Sequence, residues 1–328
     1  MSHTNKDYYG QIEVLNSTLW EYRVFRPQVE EWLANFKTKE EQDYALFLLS
    51  KMMYFSSMSI RNLLRTLYRD LYKYPIVEHI RRNNGDIIDE TFIERQFRDI
   101  RNKTRFFGVG NPSDSGVHLL YYFRQENKIP KSLFTNTDDV TQRHSDGSIT
   151  LRPEIQDAEQ FVFIDDICGS GEQATTDTNV MRCVSAIRSI KPTAKISYLM
   201  LFGLSDGITR VKNSGLYDTV EAVIELDESY KCFSDKSRYF KDCPFDKIKA
   251  EDIATKYGKY LILEWMKRCG KTPAQQALAV DKYALGYGKC QLLMSMHHNT
   301  PDNTLPIFWL DEVEDIWKPI FKRYNKIY

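Results

Sequence analysis

The sequence predicts an α/β fold, a mostly parallel sheet flanked by helices, with a helical N-terminal addition and cap-like C-terminal additions. Three observations predict it. Apolar runs of strand length recur at 106–110, 161–164, 196–202 and 220–226. Stretches with helical spacing stand between them, as a chain of alternating strands and helices requires. The clearest run, 161–164, is continuous rather than alternating, the pattern of a strand covered on both faces.

Before the sheet, segments 28–36 and 44–55 are rich in apolar residues, and Ile60, Leu63, Leu64, Leu67, Tyr68 and Leu71 repeat at the spacing of one helix face. Together they predict a helical subdomain over residues 1–99. Arg61, Arg65 and Arg69 project from a second face and read as a solvated stripe, with contact to RNA, DNA or a partner as the alternative. At Arg105 the period changes. Residues 106–110 read as a strand, 111–116 as a loop and 117–125 as a helix, a first βα unit. The second unit is the run 161–164 followed by a helix over 175–190, whose Val180, Cys183, Val184, Ile187 and Ile190 share a face. Strands at 196–202 and 220–226, with a helix between them, complete a core expected over 100–230. Residues 231–328 read as a C-terminal cap or helical region, with a helix over 250–267 and a strand at Pro306-Ile307-Phe308-Trp309. Neither an internal repeat nor a long low-complexity linker interrupts the chain, which favours one core with helical additions over independently moving domains.

At 328 residues with a hydrophobic fraction of 42%, the chain can bury a sizeable core. Lys plus Arg equals Asp plus Glu at 45 each, so net charge gives no basis for tight nonspecific binding to nucleic acid or membrane. Cys168, Cys183, Cys232, Cys243, Cys269 and Cys290 show neither paired CxxC spacing nor the density of a disulfide scaffold, and reduced thiols are expected. The first residues lack a signal-peptide apolar core, and no run approaches the roughly 20 residues that span a bilayer, so a cytoplasmic protein is expected. Gly270-Lys271-Thr272 imitates the end of a P-loop. Trp265 stands where its first glycine is needed, and Pro273 comes directly after, which excludes an ATPase.

The stretch 161–173 carries most of the chemistry. Phe161-Val162-Phe163-Ile164 ends in Asp165 and Asp166, and Ile167 leads to Cys168-Gly169-Ser170-Gly171-Glu172-Gln173 before the next helix. A small-residue loop at a helix N-terminus offers free backbone N–H groups to a phosphate, with Gly169 and Gly171 allowing close approach. Two carboxylates at the strand's carboxyl end then stand where the hydroxyls of an attached ribose would lie. The competing explanation is an ordinary strand-to-helix turn with an acidic end, against which the Gly-Ser-Gly loop weighs. Cys168 reads as a small loop residue, because a thiol nucleophile would need a base partner that the sequence does not identify.

This stretch resembles the 5-phosphoribosyl diphosphate (PRPP) signature of type I phosphoribosyltransferases: four apolar residues, two acids, an apolar residue, two variable positions, Thr or Ser, Gly, a variable residue and Thr. Asp165, Asp166, Ile167, Ser170 and Gly171 fall on that pattern, whereas Gln173 replaces the final Thr, with Thr175 or Thr176 as candidate substitutes. The resemblance implies a type I phosphoribosyltransferase-like sheet, Mg²⁺ as cofactor, and release of pyrophosphate from PRPP. Cys168, Gly169, Ser170, Gly171, Glu172 and Gln173 would cradle the 5′-phosphate. Asp165 and Asp166 would position ribose hydroxyls or metal-bound water and favour the cationic reacting centre. The family's pyrophosphate loop comes after an early strand, the place held here by Gly110, Asn111, Ser113, Ser115 and Gly116, although Asp114 would repel pyrophosphate unless a cation intervenes. A mobile loop covers the family's reacting centre and corresponds to about 135–150. There Arg143 and His144 would steady the departing pyrophosphate, an exposed loop being the plainer alternative.

His297, His298 and Asn299 are candidates for an acceptor pocket. With Gly286-Tyr287-Gly288 upstream, the ending 286–309 is similar to that of phosphoribosyltransferase-like proteins of prokaryotic conflict and phage-defence loci. That similarity implies antiviral defence, a glycosyltransferase whose acceptor is unknown, and a defence-system protein or nucleic acid as partner. The competing expectation, which Gln173 and Asp114 keep open, is a catalytically inactive PRPP- or nucleotide-binding sensor acting through a protein partner.

Overall fold

The structure, a computed structural model, describes residues 3–109, 115–241, 243–313, 315–321 and 323. Two compact units divide it, Arg61–Glu225 on one hand and Met1–Ile60 with Leu226–Tyr328 on the other. Residues 61–99, expected with the N-terminal helices, belong to the unit that holds the central sheet. The reason is local: Tyr72 donates or accepts a 2.8 Å hydrogen bond with Thr104, at the start of the first sheet strand, and its ring packs edge-on against Phe106.

The sheet contains β1 (Thr104–Gly108), β2 (Gln160–Cys168), β3 (Lys195–Leu204) and β4 (Thr219–Leu226), in the spatial order β1-β2-β3-β4. β1 and β3 both run parallel to β2, with Phe107 opposite Phe163 and Phe163 opposite Tyr198. Alternation along the strands sends side chains to two covered faces. On one face Phe107, Phe161, Phe163, Ile196, Tyr198 and Met200 pack with Val180, Cys183, Val184 and Ile187 of the helix Thr178–Ile190. On the other, Phe106 meets Phe123 of the helix Ser115–Glu126 at 5.5 Å between ring centroids. This is the mixed α/β architecture with a mostly parallel, helix-flanked sheet that the apolar runs predict.

Several elements differ from expectation for identifiable reasons. The helix expected over 175–190 is two, Glu172–Thr176 and Thr178–Ile190, because Asp177 leaves the helical conformation to accept hydrogen bonds from the Asn179 and Val180 N–H groups. The amphipathic helix at 60–71 is longer, running as Ser57–Thr66, a π-helical segment Leu67–Lys73 and Tyr74–Asn83. Pro75 has no N–H for the Leu71 carbonyl and would crowd it. The widened turn, in which the Tyr74 N–H donates to the Arg69 carbonyl, relieves that conflict. Two of the stripe arginines are tethered: Arg61 and Arg65 both contact Glu126 at 2.5 Å, and Arg61 covers the Tyr122 ring at 4.5 Å. Arg69 pairs with its neighbour Asp70.

In the other unit the helices Arg26–Leu33, Lys39–Ser50, Lys247–Arg268 and Pro273–Tyr283 surround an aromatic core in which Trp32 stacks on Phe308 at 5.2 Å. Pro306-Ile307-Phe308 is a 3₁₀ turn rather than a strand. The Ile307 carbonyl accepts from the indole N–H of Trp32 and of Trp317, which replaces strand pairing. The short strand of this region is Met294–Met296, paired in parallel with Met53–Phe55. No helix among the described residues is long and apolar enough to cross a membrane.

Candidate active site

Successive strand residues leave β2 on opposite faces, yet at its carboxyl end the Asp165 and Asp166 carboxyls stay close enough to share a hydrogen bond. Both are 4% exposed. Asp165 shares the face of Phe163 and Tyr198. Its Oδ2 accepts a hydrogen bond from the Tyr198 hydroxyl at 2.7 Å, and its Oδ1 accepts from the Asp166 N–H at 2.9 Å. Burial, reinforced by the neighbouring Asp166 charge, pushes the Asp165 carboxyl well above the usual carboxylate range despite the Tyr198 bond. The same burial and the Asp165 charge raise the Tyr198 phenol. Asp166 lies on the face of Val162 and Phe106, the side covered by the helix Ser115–Glu126, and its Oδ1 accepts from the Ile167 N–H at 2.8 Å.

Tyr198 extends the arrangement. Its ring centroid lies 5.4 Å from that of Tyr217, and the Tyr217 hydroxyl donates to the Ala174 carbonyl at 2.8 Å. Neither tyrosine stands out in the sequence, since a tyrosine within an apolar strand looks like any other core residue. The two aromatics connect the acid pair to the helix just after the small-residue loop.

That loop is shaped by packing. β2 continues through Cys168, so Cys168 closes the strand with a buried side chain and only its backbone borders the loop. Gly171 caps the helix Glu172–Thr176 in a left-handed conformation, φ +72°, and a Cβ there would stand 2.7 Å from the Gly207 carbonyl oxygen. A Cβ on Gly207, in the helix Ser205–Asn213, would stand 2.1 Å from the Gly169 carbonyl oxygen. Glycines on both sides therefore let loop and helix meet backbone to backbone. Ser170 Oγ accepts from the Glu172 N–H at 3.3 Å, and Gln173 is exposed. Thr175 and Thr176, the candidate replacements for the missing threonine, donate their hydroxyls to the carbonyls of Gly171 and Glu172, both at 2.8 Å.

The remaining expected residues belong to other elements. Gly110, Asn111 and Ser113 lie outside the described residues, and Ser115 and Gly116 open the helix Ser115–Glu126. Arg143 and His144 are exposed on an antiparallel ribbon of Thr141–Arg143 with Ile149–Leu151, where His144 Nε2 stands 2.8 Å from Thr150 Oγ1. The segment expected as a loop thus has strand structure of its own. His297, His298 and Asn299 belong to the other unit, just after Met294–Met296, with the His297 N–H donating to the Phe55 carbonyl at 2.9 Å.

No group of three or more His, Cys, Asp or Glu side chains among the described residues forms a ready metal cage. A Mg²⁺ ion arriving with a polyphosphate needs only one or two carboxylates, and the hard oxygens of Asp166 are of the right kind. Both carboxyls already accept from protein donors, Asp165 at each oxygen and Asp166 at Oδ1, so a cation would share these oxygens with them.

A family model, PRTase-CE, of phosphoribosyltransferase type, matches residues 29–323, about nine-tenths of the chain. No curated protein matches it at a significant level of similarity.

Proposed function

Because the chain belongs to the PRTase-CE family, a phosphoribosyltransferase-type family, we propose that it is a Mg²⁺-dependent phosphoribosyltransferase-like enzyme that uses PRPP and releases pyrophosphate. The observation that carries the reading is the end of β2, where two consecutive buried acids precede a loop held against Gly207. In this reading the backbone N–H groups from Gly169 to Gln173 receive the 5′-phosphate. Asp166 orients the ribose hydroxyls and is the residue that would hold Mg²⁺. The chemistry a bound Mg²⁺ supplies is neutralisation of charge on the leaving pyrophosphate. As that bond breaks, the anomeric centre gains positive character, and the Asp166 carboxylate stabilises it electrostatically. Arg143 and His144, on their exposed ribbon, would steady the departing group.

The same proposal assigns the enzyme to a prokaryotic conflict or antiviral defence system, supported by the resemblance of its ending, 286–309. It assigns the protein to the cytoplasm, where its six free cysteines would stay reduced. A second reading, a sensor that binds PRPP without transfer, draws on the engagement of both Asp165 oxygens and on Gln173 in place of threonine.

The test is incubation with PRPP and Mg²⁺, with and without candidate acceptors, measuring pyrophosphate release and PRPP binding together. Release that falls by about a hundredfold or more in Asp166→Asn, with unfolding unchanged, supports the enzyme. Binding without release supports the sensor. Neither binding nor release removes both.

A further inference from the structure

We infer that Tyr198 is a positioning residue: by holding Asp165 it fixes the adjacent Asp166, where the ligand is bound. The inference rests on the PRPP reading proposed above. Its geometric basis is a chain of contacts. The Tyr198 hydroxyl holds Asp165 Oδ2 at 2.7 Å, and Asp165 Oδ1 holds the N–H of Asp166 at 2.9 Å. The Asp165–Asp166 peptide is thereby anchored through Asp165, and with it the direction in which Asp166 leaves the strand. Asp166 emerges on the face covered by the helix Ser115–Glu126, the helix next in sequence to the expected pyrophosphate loop.

The Tyr198 ring also stands 5.4 Å from Tyr217, whose hydroxyl holds the Ala174 carbonyl in the helix Glu172–Thr176. One pair of aromatics therefore ties the acid pair and the phosphate loop to a common base. The spacing between the ribose-facing carboxylate and the phosphate cradle is then set beneath the site by residues that never touch ligand. A misplacement on the order of 1 Å at such a centre is enough to cost about a hundredfold in rate.

The experiment compares Tyr198→Phe, Tyr217→Phe, Asp165→Asn and Asp166→Asn in the full chain, measuring kcat and KM for PRPP, direct PRPP binding and urea unfolding. Tyr198→Phe keeps ring and volume and loses only the hydroxyl. The expected result is a fall in kcat of about tenfold or more with KM for PRPP changed less. Tyr217→Phe, which releases the loop helix instead, raises KM for PRPP and spares kcat. Asp165→Asn leaves one acceptor oxygen for two donors, the Tyr198 hydroxyl and the Asp166 N–H, so it loosens the same anchor as Tyr198→Phe but spares the ribose-facing carboxylate and costs less than Asp166→Asn. Combining Asp165→Asn with Tyr198→Phe costs no more than the worse single change, because both act through one contact.

Wild-type kcat and KM in a folded Tyr198→Phe protein overturn the inference alone. If Tyr198→Phe fails to fold, Asp165→Asn decides: a loss equal to that of Asp166→Asn overturns it. If wild type binds PRPP without turnover, affinity replaces kcat as the readout, and an unchanged Tyr198→Phe affinity overturns it. A wild type that neither binds PRPP nor releases pyrophosphate overturns the inference together with the reading beneath it.

Discussion

Gly207→Ala is a small change with a large expected effect. An alanine in the helix Ser205–Asn213 would ordinarily add about 1 kcal/mol of helix propensity. Here its Cβ would lie 2.1 Å from the Gly169 carbonyl oxygen and 3.2 Å from Cys168 Sγ. The oxygen would have to retreat by about 1.3 Å to reach ordinary contact at 3.4 Å, and it belongs to backbone at the end of a buried strand, which cannot yield as a side chain does. Overpacking costs about 1–3 kcal/mol, and a backbone contact this short belongs at the upper end, so a net loss of about 2 kcal/mol is expected after the propensity gain of about 1 kcal/mol. Urea unfolding of the full chain measures it, and PRPP affinity reports whether the loop has shifted. Gly215→Ala is the control. That residue has φ +67° with nothing within 4 Å of its missing Cβ, so only backbone strain of about 1–2 kcal/mol is incurred and the loop is untouched. A Gly207→Ala protein as stable as wild type, with unchanged PRPP affinity, would refute the backbone-to-backbone contact.

Two further outcomes concern charged groups away from the acid pair. Burial alone would raise the Glu41 carboxyl, but hydrogen bonds from Lys256, Tyr257 and the Thr38 N–H outweigh it and hold the group below its ordinary value of 4.5. A depressed folded value stabilises at pH above the unfolded value and is lost as pH falls through the folded one. The stability gap between wild type and Glu41→Gln should therefore be widest near neutrality and close below about pH 4.5 in urea titrations across that range. Arg105, 5% exposed, donates to the carbonyls of Asn102, Thr104 and Glu154 and to Asp157. Arg105→Ala should lose about 3 kcal/mol by removing a buried side chain and unpairing the buried Thr104 carbonyl and the carbonyls of Asn102 and Glu154, while Asp157→Asn, at an exposed partner, should lose under about 1 kcal/mol in the same unfolding assay.

The sheet was legible because its strands are apolar runs with few competing explanations, and helix Thr178–Ile190 because one face is apolar throughout. Polar structure inside apolar context was not. Asp165 and Asp166 look like the start of a loop, since buried carboxylates are rare without partners, and the partner that allows one of them, Tyr198, carries its hydroxyl on a ring that counts as apolar. The glycines of the loop are legible as small but not as packing residues, because Gly207 is remote in sequence. Other elements that went unread had local signals. Asp146-Gly147 between two short runs marks the ribbon, and Asp89 before Ile93 and Phe97 marks the helix Glu90–Asn102, whose first N–H groups it caps.

The widened turn at Leu67–Lys73 makes chain length in that helix a matter of phase. Each residue removed from an α-helix rotates the remainder of the helix by on the order of 100°. A single deletion between Leu67 and Lys73 would swing either Tyr72 or the residues beyond it, and Tyr72 is the side chain bonded to Thr104 at the first residue of β1. Among descendants of this sequence, length there should be conserved more strictly than identity, and an insertion accepted on the exposed turn after Asn83 should be rejected beside Tyr72.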